Sequence, residues 1–159
     1  MAVLTVSISL FIRPMQAGMQ LDIVAKFQNA DLEFDVATAF DSEAETSRSK
    51  IALLGIVTPS RLGIATPSRN SFLFALEEWL WLIALWTKAV KAQTDSWRVV
   101  GSMTETETSD VSHLTVSAGR GVKFVIGSSR KGTVLYVLSR DDFADFEKAL
   151  YRVKDFLSR

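Results

Sequence analysis

Two stretches of this chain share an order of residue types, and that similarity constrains the fold more than any other feature. The first, SRNSFLFALEEWLWLIALW, spans 68–86, and the second, SRDDFADFEKALYRVKDFL, spans 139–157. Both open with Ser-Arg, place a phenylalanine three residues after the arginine, and continue with apolar residues at helical spacing. Internal similarity of this kind predicts two copies of one structural unit, each ending in a helix.

The first stretch, despite three tryptophans, is not a membrane span. A spanning helix needs about 20 mostly apolar residues, whereas Glu77 and Glu78 interrupt this run. Each carboxylate would cost about 3 kcal/mol near the centre of a bilayer. We therefore predict a helix over 71–92 that belongs to the fold.

This predicted helix is apolar around more than half of its circumference. One face carries apolar residues spaced three and four apart, and further apolar residues lie beside its polar stripe. The second apolar face either packs against another layer of the same fold or contacts another subunit. For the second alternative we predict a homo-oligomer interface formed by Phe74, Glu78, Trp81 and Leu85.

Strand-like runs precede both helices. They lie at about 2–12, 19–27, 31–39 and 50–57 in the first half and at about 97–106, 112–118, 121–127 and 132–138 in the second. Their alternation, β-branched content and glycine punctuation are typical of strands joined by hairpins. The predicted fold class is α+β, a single domain over 1–159 with two ββββα repeats, 1–92 and 97–159, whose antiparallel sheets pack with two helices.

Two segments leave alternatives open. The uncharged run 2–12 alternates like a strand and has no basic residue before it, which favours a strand over a targeting peptide. In the linker, GIVTPSRL (55–62) is followed at once by GIATPSRN (63–70). This tandem repeat is explained by duplication within a surface loop or by a site that is phosphorylated or contacts phosphate.

Composition argues against most catalytic and metal-dependent functions. The chain has 18 basic and 18 acidic residues, no cysteine and one histidine, His113. It lacks a thiolate zinc site, a two-histidine motif, a nucleophile elbow and a phosphate-binding glycine loop. We predict a non-catalytic protein without a metal or cofactor, and the absence of cysteine suits an intracellular location, cytoplasmic or organellar.

Residues 119–157, GRGVKFVIGSSRKGTVLYVLSRDDFADFEKALYRVKDFL, combine adjacent strands, a basic turn flanked by glycine, and a helix opened by acidic and aromatic residues. This segment, together with the repeated ββββα order, resembles the Whirly and Pur-alpha group of single-stranded nucleic-acid-binding proteins. The resemblance implies binding of single-stranded DNA or RNA with little base specificity. It also implies oligomers, since Whirly proteins form tetramers through their helices and Pur repeats pair into an intertwined unit.

Single-strand binders combine cations that follow the phosphates with aromatic rings on which bases stack. The second repeat holds the richest set of both. We predict that nucleic acid is bound by Trp97, Arg98, Arg120, Lys123, Arg130, Lys131 and Tyr136. The alternative is a non-catalytic assembly subunit that uses the tryptophan-rich helix for protein–protein contacts.

Overall fold

The computed structural model describes residues 19–29, 31–41, 50–58, 68–107 and 110–159. In the first half they form β1 (Met19–Gln28), β2 (Glu33–Asp41), β3 (Lys50–Thr58), β4 (Ser68–Phe74) and the helix α1 (Leu76–Lys91). In the second half they form β5 (Arg98–Glu107), β6 (Asp110–Ala118), β7 (Val122–Ser128), β8 (Gly132–Leu138), a 3-10 turn (Arg140–Asp142) and the helix α2 (Phe143–Ser158).

Each half contributes one antiparallel sheet, and its strands lie side by side in chain order, β1-β2-β3-β4 and β5-β6-β7-β8. Side chains alternate between the two faces of each strand. In β2, Phe34 and Val36 belong to the main core, whereas the residue between them, Asp35, and the next one, Ala37, lie on the opposite face. The predicted α+β class with two ββββα units is confirmed.

Side chains near each helix start bind backbone N–H groups. Glu78 Oε1 accepts a hydrogen bond from the Ala75 N–H at 2.8 Å, as in a capping box at the start of α1. Ser139 Oγ accepts one from the Asp141 N–H at 3.1 Å, which caps the 3-10 turn, and α2 then starts without a side-chain hydrogen bond from its N-cap residue Asp142. The acids in the first turn of α1 and the lysines in its last turn also complement the helix dipole.

The helices hold the two halves together. α2 contacts β1, β2 and β3 of the first sheet, while α1 contacts β5 and β6 as well as β3 and β4. Trp79 Nε1 donates a hydrogen bond to the Leu150 carbonyl at 2.8 Å, and Trp86 Nε1 donates to Glu147 Oε1 at 3.1 Å. The indole N–H groups of the two buried tryptophans of α1 are thus satisfied by α2.

The core contains residues from both sheets and both helices. At its centre is Phe34, fully buried, whose ring stacks at 4.9 Å on Phe124, at 5.0 Å on Tyr136 and at 5.9 Å on Phe146. Offset aromatic pairs add about 0.5–1.5 kcal/mol each beyond the area that they bury. One residue of β2 therefore contacts β7, β8 and α2 at once.

The prediction of a helix over 71–92 is wrong at its start. Residues 68–74 form β4, which pairs with β3 from Thr58↔Ser68 to Ala52↔Phe74. The run alternates, with Phe72 and Phe74 in the core and Leu73 between them on the other face. Hence Ser68 and Arg69 lie in a strand, whereas Ser139 and Arg140 precede α2, and the two stretches are not structurally equivalent over their first residues.

The other strand predictions are confirmed within a few residues at each end. The last of the four described strands of the first half is β4, and the predicted strand 2–12 lies outside the described residues. Most of the tandem TPSR segment, 59–67, also lies outside them.

Candidate nucleic-acid interface

The second sheet turns one face to the core and the other away from it. Alternate residues of β6, β7 and β8 are buried in the core: Leu114, Val116, Phe124, Ile126, Tyr136 and Leu138. The residues between them lie on the opposite side, which we call the outer face. With their partners on β5, its described members are Val99, Ser102, Thr104, Val111, His113, Thr115, Ser117, Lys123, Val125, Gly127, Thr133, Leu135 and Val137.

The outer face is uncovered, mixes aliphatic with polar side chains, and has no acid among its described residues. Four of its aliphatic side chains are exposed, from 37% for Val137 to 68% for Val99. None of the members named above is aspartate or glutamate, and Lys123 is the one lysine or arginine among them. This uncovered face is a candidate interaction surface, and the lysine on it favours a negatively charged ligand.

Trp97 lies at one end of this face, immediately before β5. Its ring packs on the backbone of Gly119, where an added Cβ would be 2.6 Å from Trp97 Cδ2. Lys123 Nζ lies 4.4 Å from the ring centroid, a cation–π contact worth about 0.5–1 kcal/mol at an exposed site. The Thr94 N–H donates to the Gly119 carbonyl at 3.2 Å. Trp97 is thus held in place yet remains 39% exposed.

Arg98 and Arg120 add positive charge at the same end. Arg98 opens β5 opposite Ala118, and Arg120 lies in the β6–β7 turn. Arg120 Nε is 3.9 Å from Asp95 Oδ1, and both side chains are mostly exposed. Exposed ion pairs of this kind contribute little, so Arg120 remains able to contact another anion.

Arg130 and Lys131 lie at the opposite end of β7, in the turn to β8. The Arg130 N–H donates to Asp110 Oδ1 at 3.3 Å, and Lys131 Nζ donates to the Arg69 carbonyl at 3.3 Å. Burial lowers the pKa of Lys131, an effect that Asp110 opposes and Arg69 reinforces. The structure therefore brings Trp97, Lys123 and Arg120 to one end of the outer face. Arg98 lies at the same end but pairs with the core residue Ala118, on the other side of the sheet, and Arg130 and Lys131 lie at the opposite end.

The prediction that Tyr136 contacts nucleic acid is wrong. In β8 it lies on the inner face of the sheet, only 2% exposed, with its ring stacked on Phe34. Burial is the largest cause that raises the pKa of its phenol, and Asp142 adds to it. Alternation predicts that Tyr136 and Lys123 point to opposite faces, but it does not tell which face is covered.

His113, which the sequence analysis did not assign to a site, lies on the outer face. It faces Thr104 on β5 and Gly127 on β7. The signal that could have identified it is its spacing: His113 and Thr115 alternate with the core residues Leu114 and Val116.

The interface predicted on α1 is only partly at the surface. Phe74 lies in β4 and is 1% exposed, and Leu85 is 5% exposed and packs beside Gly101, so their prediction as interface residues is wrong. Glu78 is half-buried and caps the helix through the Ala75 N–H. Trp81 remains exposed, with Leu80 next to it.

The outer face of the first sheet differs because it carries acids. Asp35 is buried there and pairs with Arg69, whose side chain crosses Gly55 of the intervening strand β3. Asp35 Oδ1 is buried without a hydrogen-bond partner among the described residues. Burial raises the pKa of Asp35 more than Arg69 lowers it. Lys26 Nζ pairs with Glu33 Oε1 at 3.4 Å on the same face.

The described residues contain no group of three or more histidine, cysteine, aspartate or glutamate side chains placed to hold a metal ion. Neither helix in the described part of the chain is long and apolar enough to cross a membrane. Comparison with protein-family models and with curated proteins found no match to this sequence.

Proposed function

We propose that this protein binds single-stranded DNA or RNA with low sequence specificity, through the outer face of the second sheet and without catalysis. The observation that carries the proposal is the pairing of an exposed Trp97 ring with the Lys123 ammonium on an open sheet face whose described residues include no acid. A base that stacks on an aromatic side chain contributes about 1–3 kcal/mol, whatever its identity. The neighbouring cations supply contacts to phosphate.

The shape of the face favours a single strand over a duplex. A flat sheet with one projecting ring offers a platform for an unstacked base, whereas the bases of a duplex are already paired and stacked. The exposed valines and leucine beside Trp97 present no directional donors or acceptors, and this argues for little base discrimination. The order of two four-stranded sheets, each followed by a helix, supports membership of the Whirly and Pur-alpha group as part of this proposal.

Charge argues against a dimer in which the outer faces of two copies pack against each other. If two outer faces packed together, each Lys123 would be buried against a surface whose described residues include no acid. An unpaired buried charge costs several kcal/mol. A polyanion removes this cost because it brings the opposite charge with it.

The test is fluorescence anisotropy with a fluorescein-labelled 12-nucleotide oligothymidylate at low salt. The wild-type protein is expected to bind, with affinity that falls as salt rises. Trp97→Ala is expected to weaken binding about 5- to 150-fold, which corresponds to the loss of one stacked base. Lys123→Gln is expected to weaken binding and to make its salt dependence shallower by about 0.7 in the log–log slope.

Two control variants isolate the face. Trp81→Ala removes the other half-exposed tryptophan, on α1, and Lys148→Gln removes an exposed lysine of α2. Both should bind as the wild type does. No binding at about 50 mM salt and micromolar protein, where even non-specific complexes form, would refute the proposal.

Self-assembly through α1 is the second candidate, and the exposed pair Leu80 and Trp81 favours it. Ala84 lies one turn further along on the same exposed side of the helix, where its small side chain permits close approach of another helix. Acids start α1 and lysines end it, so that an antiparallel pair of α1 helices from two copies would bring Glu77 close to Lys88 and Lys91 of the other copy.

Size-exclusion chromatography with light scattering tests this assembly. The wild type should run as an oligomer, and Trp81→Glu should convert it to a folded monomer. Tyr151→Glu, at an exposed aromatic of α2, is the matched control and should leave the oligomer intact. A wild-type monomer at micromolar concentration would exclude the assembly while leaving the nucleic-acid proposal standing.

A further inference from the structure

His113 occupies a specific position on the outer face. It pairs with Gly127 of β7, where a Cβ would lie 2.8 Å from both Cε1 and Nε2 of the imidazole. The same Cβ would be 2.5 Å from Thr133 Oγ1 on β8. The imidazole therefore lies across β7 and reaches toward β8, in space that only the absence of a side chain at Gly127 provides.

Trp97 is seated in the same manner at the other end of the face, over Gly119 and beside Lys123. Lys123 and Gly127 are separated by four positions along β7, so the two rings are roughly 13 Å apart along the strands. The outer-face residues that lie between the two rings on β6 and β7 are Thr115 and Val125. An extended single strand can cross this interval without meeting a large side chain.

We infer that His113 is a second nucleic-acid contact, which stacks a base when neutral and adds attraction to phosphate when protonated. This inference rests on the proposed function, because it concerns the same face. A strand with one base on Trp97 that continues along β6 and β7 places a later base over the imidazole. The imidazole presents a flat ring on which a base can stack, and a protonated imidazole is a cation that donates from both ring nitrogens. We therefore expect binding to tighten on acidification.

The described groups around His113 on the outer face would leave a positive charge on its imidazole without a neighbouring acid. β5 contributes Thr104, β8 contributes Thr133, and β6 itself contributes Val111 and Thr115 on this face. Lys123 is the one charged group among the described residues of the face. Glu105 alternates to the other side of β5, as does Asp110 in β6, whose carboxylate accepts hydrogen bonds from Ser129 and Arg130. Protonation of His113 thus adds a cation that no acid on its own face neutralises.

The experiment measures binding of the fluorescein-labelled 12-nucleotide oligothymidylate at pH 7.5 and pH 5.5 over a series of salt concentrations. For the wild type we expect severalfold tighter binding at pH 5.5 and a log–log salt slope steeper by about 0.7, the increment for one additional phosphate contact. Since His113 is the only histidine in the sequence, the histidine part of this pH effect is assigned to one residue.

Three variants separate the ring from its charge. His113→Phe keeps a ring for stacking and should bind as the wild type does at pH 7.5, without the gain at pH 5.5. His113→Gln loses the ring and should bind more weakly at both pH values. Gly127→Ala leaves the histidine in the chain but occupies the space under it, and should lower the gain at pH 5.5. Thermal unfolding of each variant establishes that it is folded.

The results that overturn the inference differ from those that overturn the proposed function. If His113→Phe keeps the full gain at pH 5.5, or if His113→Gln matches the wild type at both pH values, His113 is not a contact although the outer face still binds. If the wild type binds at neither pH, both the proposed function and this inference fail.

Discussion

Gly119→Ala tests most directly how the fold prepares Trp97 for binding. The new Cβ would lie 2.6 Å from both Cδ2 and Cε3 of Trp97. Carbon atoms pack best at about 3.5–4.0 Å, so the indole has to retreat by about 1 Å or rotate away. The ring would then leave its place beside Lys123 Nζ, which now lies 4.4 Å from the centroid.

The expected effect is a loss of binding with little loss of stability. A displaced Trp97 forfeits up to one stacked base, about 1–3 kcal/mol, or about 5- to 150-fold in affinity. We expect little change in stability for two reasons. Trp97 is already 39% exposed, and alanine restricts the unfolded chain more than glycine does, which offsets about 0.4–1 kcal/mol of any destabilisation. Anisotropy with labelled oligothymidylate measures the first quantity, and urea unfolding measures the second.

Gly101→Ala is the matched control, since it makes the same change on the side of the sheet that packs against α1. Its Cβ would meet Leu85 Cδ2 at 2.5 Å in the core, and overpacking of a core costs about 1–3 kcal/mol. This variant should lose stability while the folded protein keeps its affinity. The reasoning is refuted if Gly119→Ala binds as tightly as the wild type while Trp97→Ala does not, or if Gly119→Ala unfolds as readily as Gly101→Ala.

Two further predictions concern the folded state. Phe34→Ala should lower the free energy of unfolding by about 3–5 kcal/mol, because the buried ring of Phe34 stacks on three others. Urea unfolding measures this loss, and Phe156→Ala, at a half-buried position, is a control for which we expect a small effect. A loss below about 1.5 kcal/mol for Phe34→Ala would contradict the prediction. Burial raises the pKa of Asp35 above 3.8. As the pH rises, the unfolded chain therefore loses this proton at a lower pH than the native state does. Its contribution to stability is present below pH 3.8 and is lost as the pH rises through the raised native pKa. The unfolding free energy of the wild type minus that of Asp35→Asn should therefore fall across this window, and a difference that rises would refute the assignment.

The sequence predicted the second half of the fold well because its strands carry several signals that agree. VKFVIG and TVLYVL alternate, contain β-branched residues, and are separated by a turn with glycine. The first half was harder at SFLFALEEWLW, since Phe72 and Phe74 fit a period of two while Phe72, Ala75 and Trp79 also fit a helix. Pairing with β3 decides between these two, and that contact is tertiary.

The candidate site was predictable in its residue types and only partly in its placement. Trp97, Arg120 and Lys123 come together because the segment before β5 and the β6–β7 turn meet at one end of the sheet, where Arg98 alternates to the other side. Arg130 and Lys131 fall at the far end of β7, a distance that charge counting along the chain does not reveal. Tyr136 was misplaced because the covered face of a sheet depends on what packs on it, here Phe34 from the other half.

Because each helix contacts strands beyond its own half, the chain cannot be divided between α1 and β5 into two units that each bury their hydrophobic residues. Since α2 rests on β1, β2 and β3 and α1 on strands of both sheets, neither half encloses its own hydrophobic residues. A fragment ending after α1 would expose the ring of Phe34 and could bury it only by binding a second polypeptide. The present chain thus amounts to a dimer of ββββα units joined covalently, in which fusion replaces a concentration-dependent association with an intramolecular one. The two joined units need not be alike, and their outer faces differ: Glu33 and Asp35 lie on the first, and no described residue of the second is an acid.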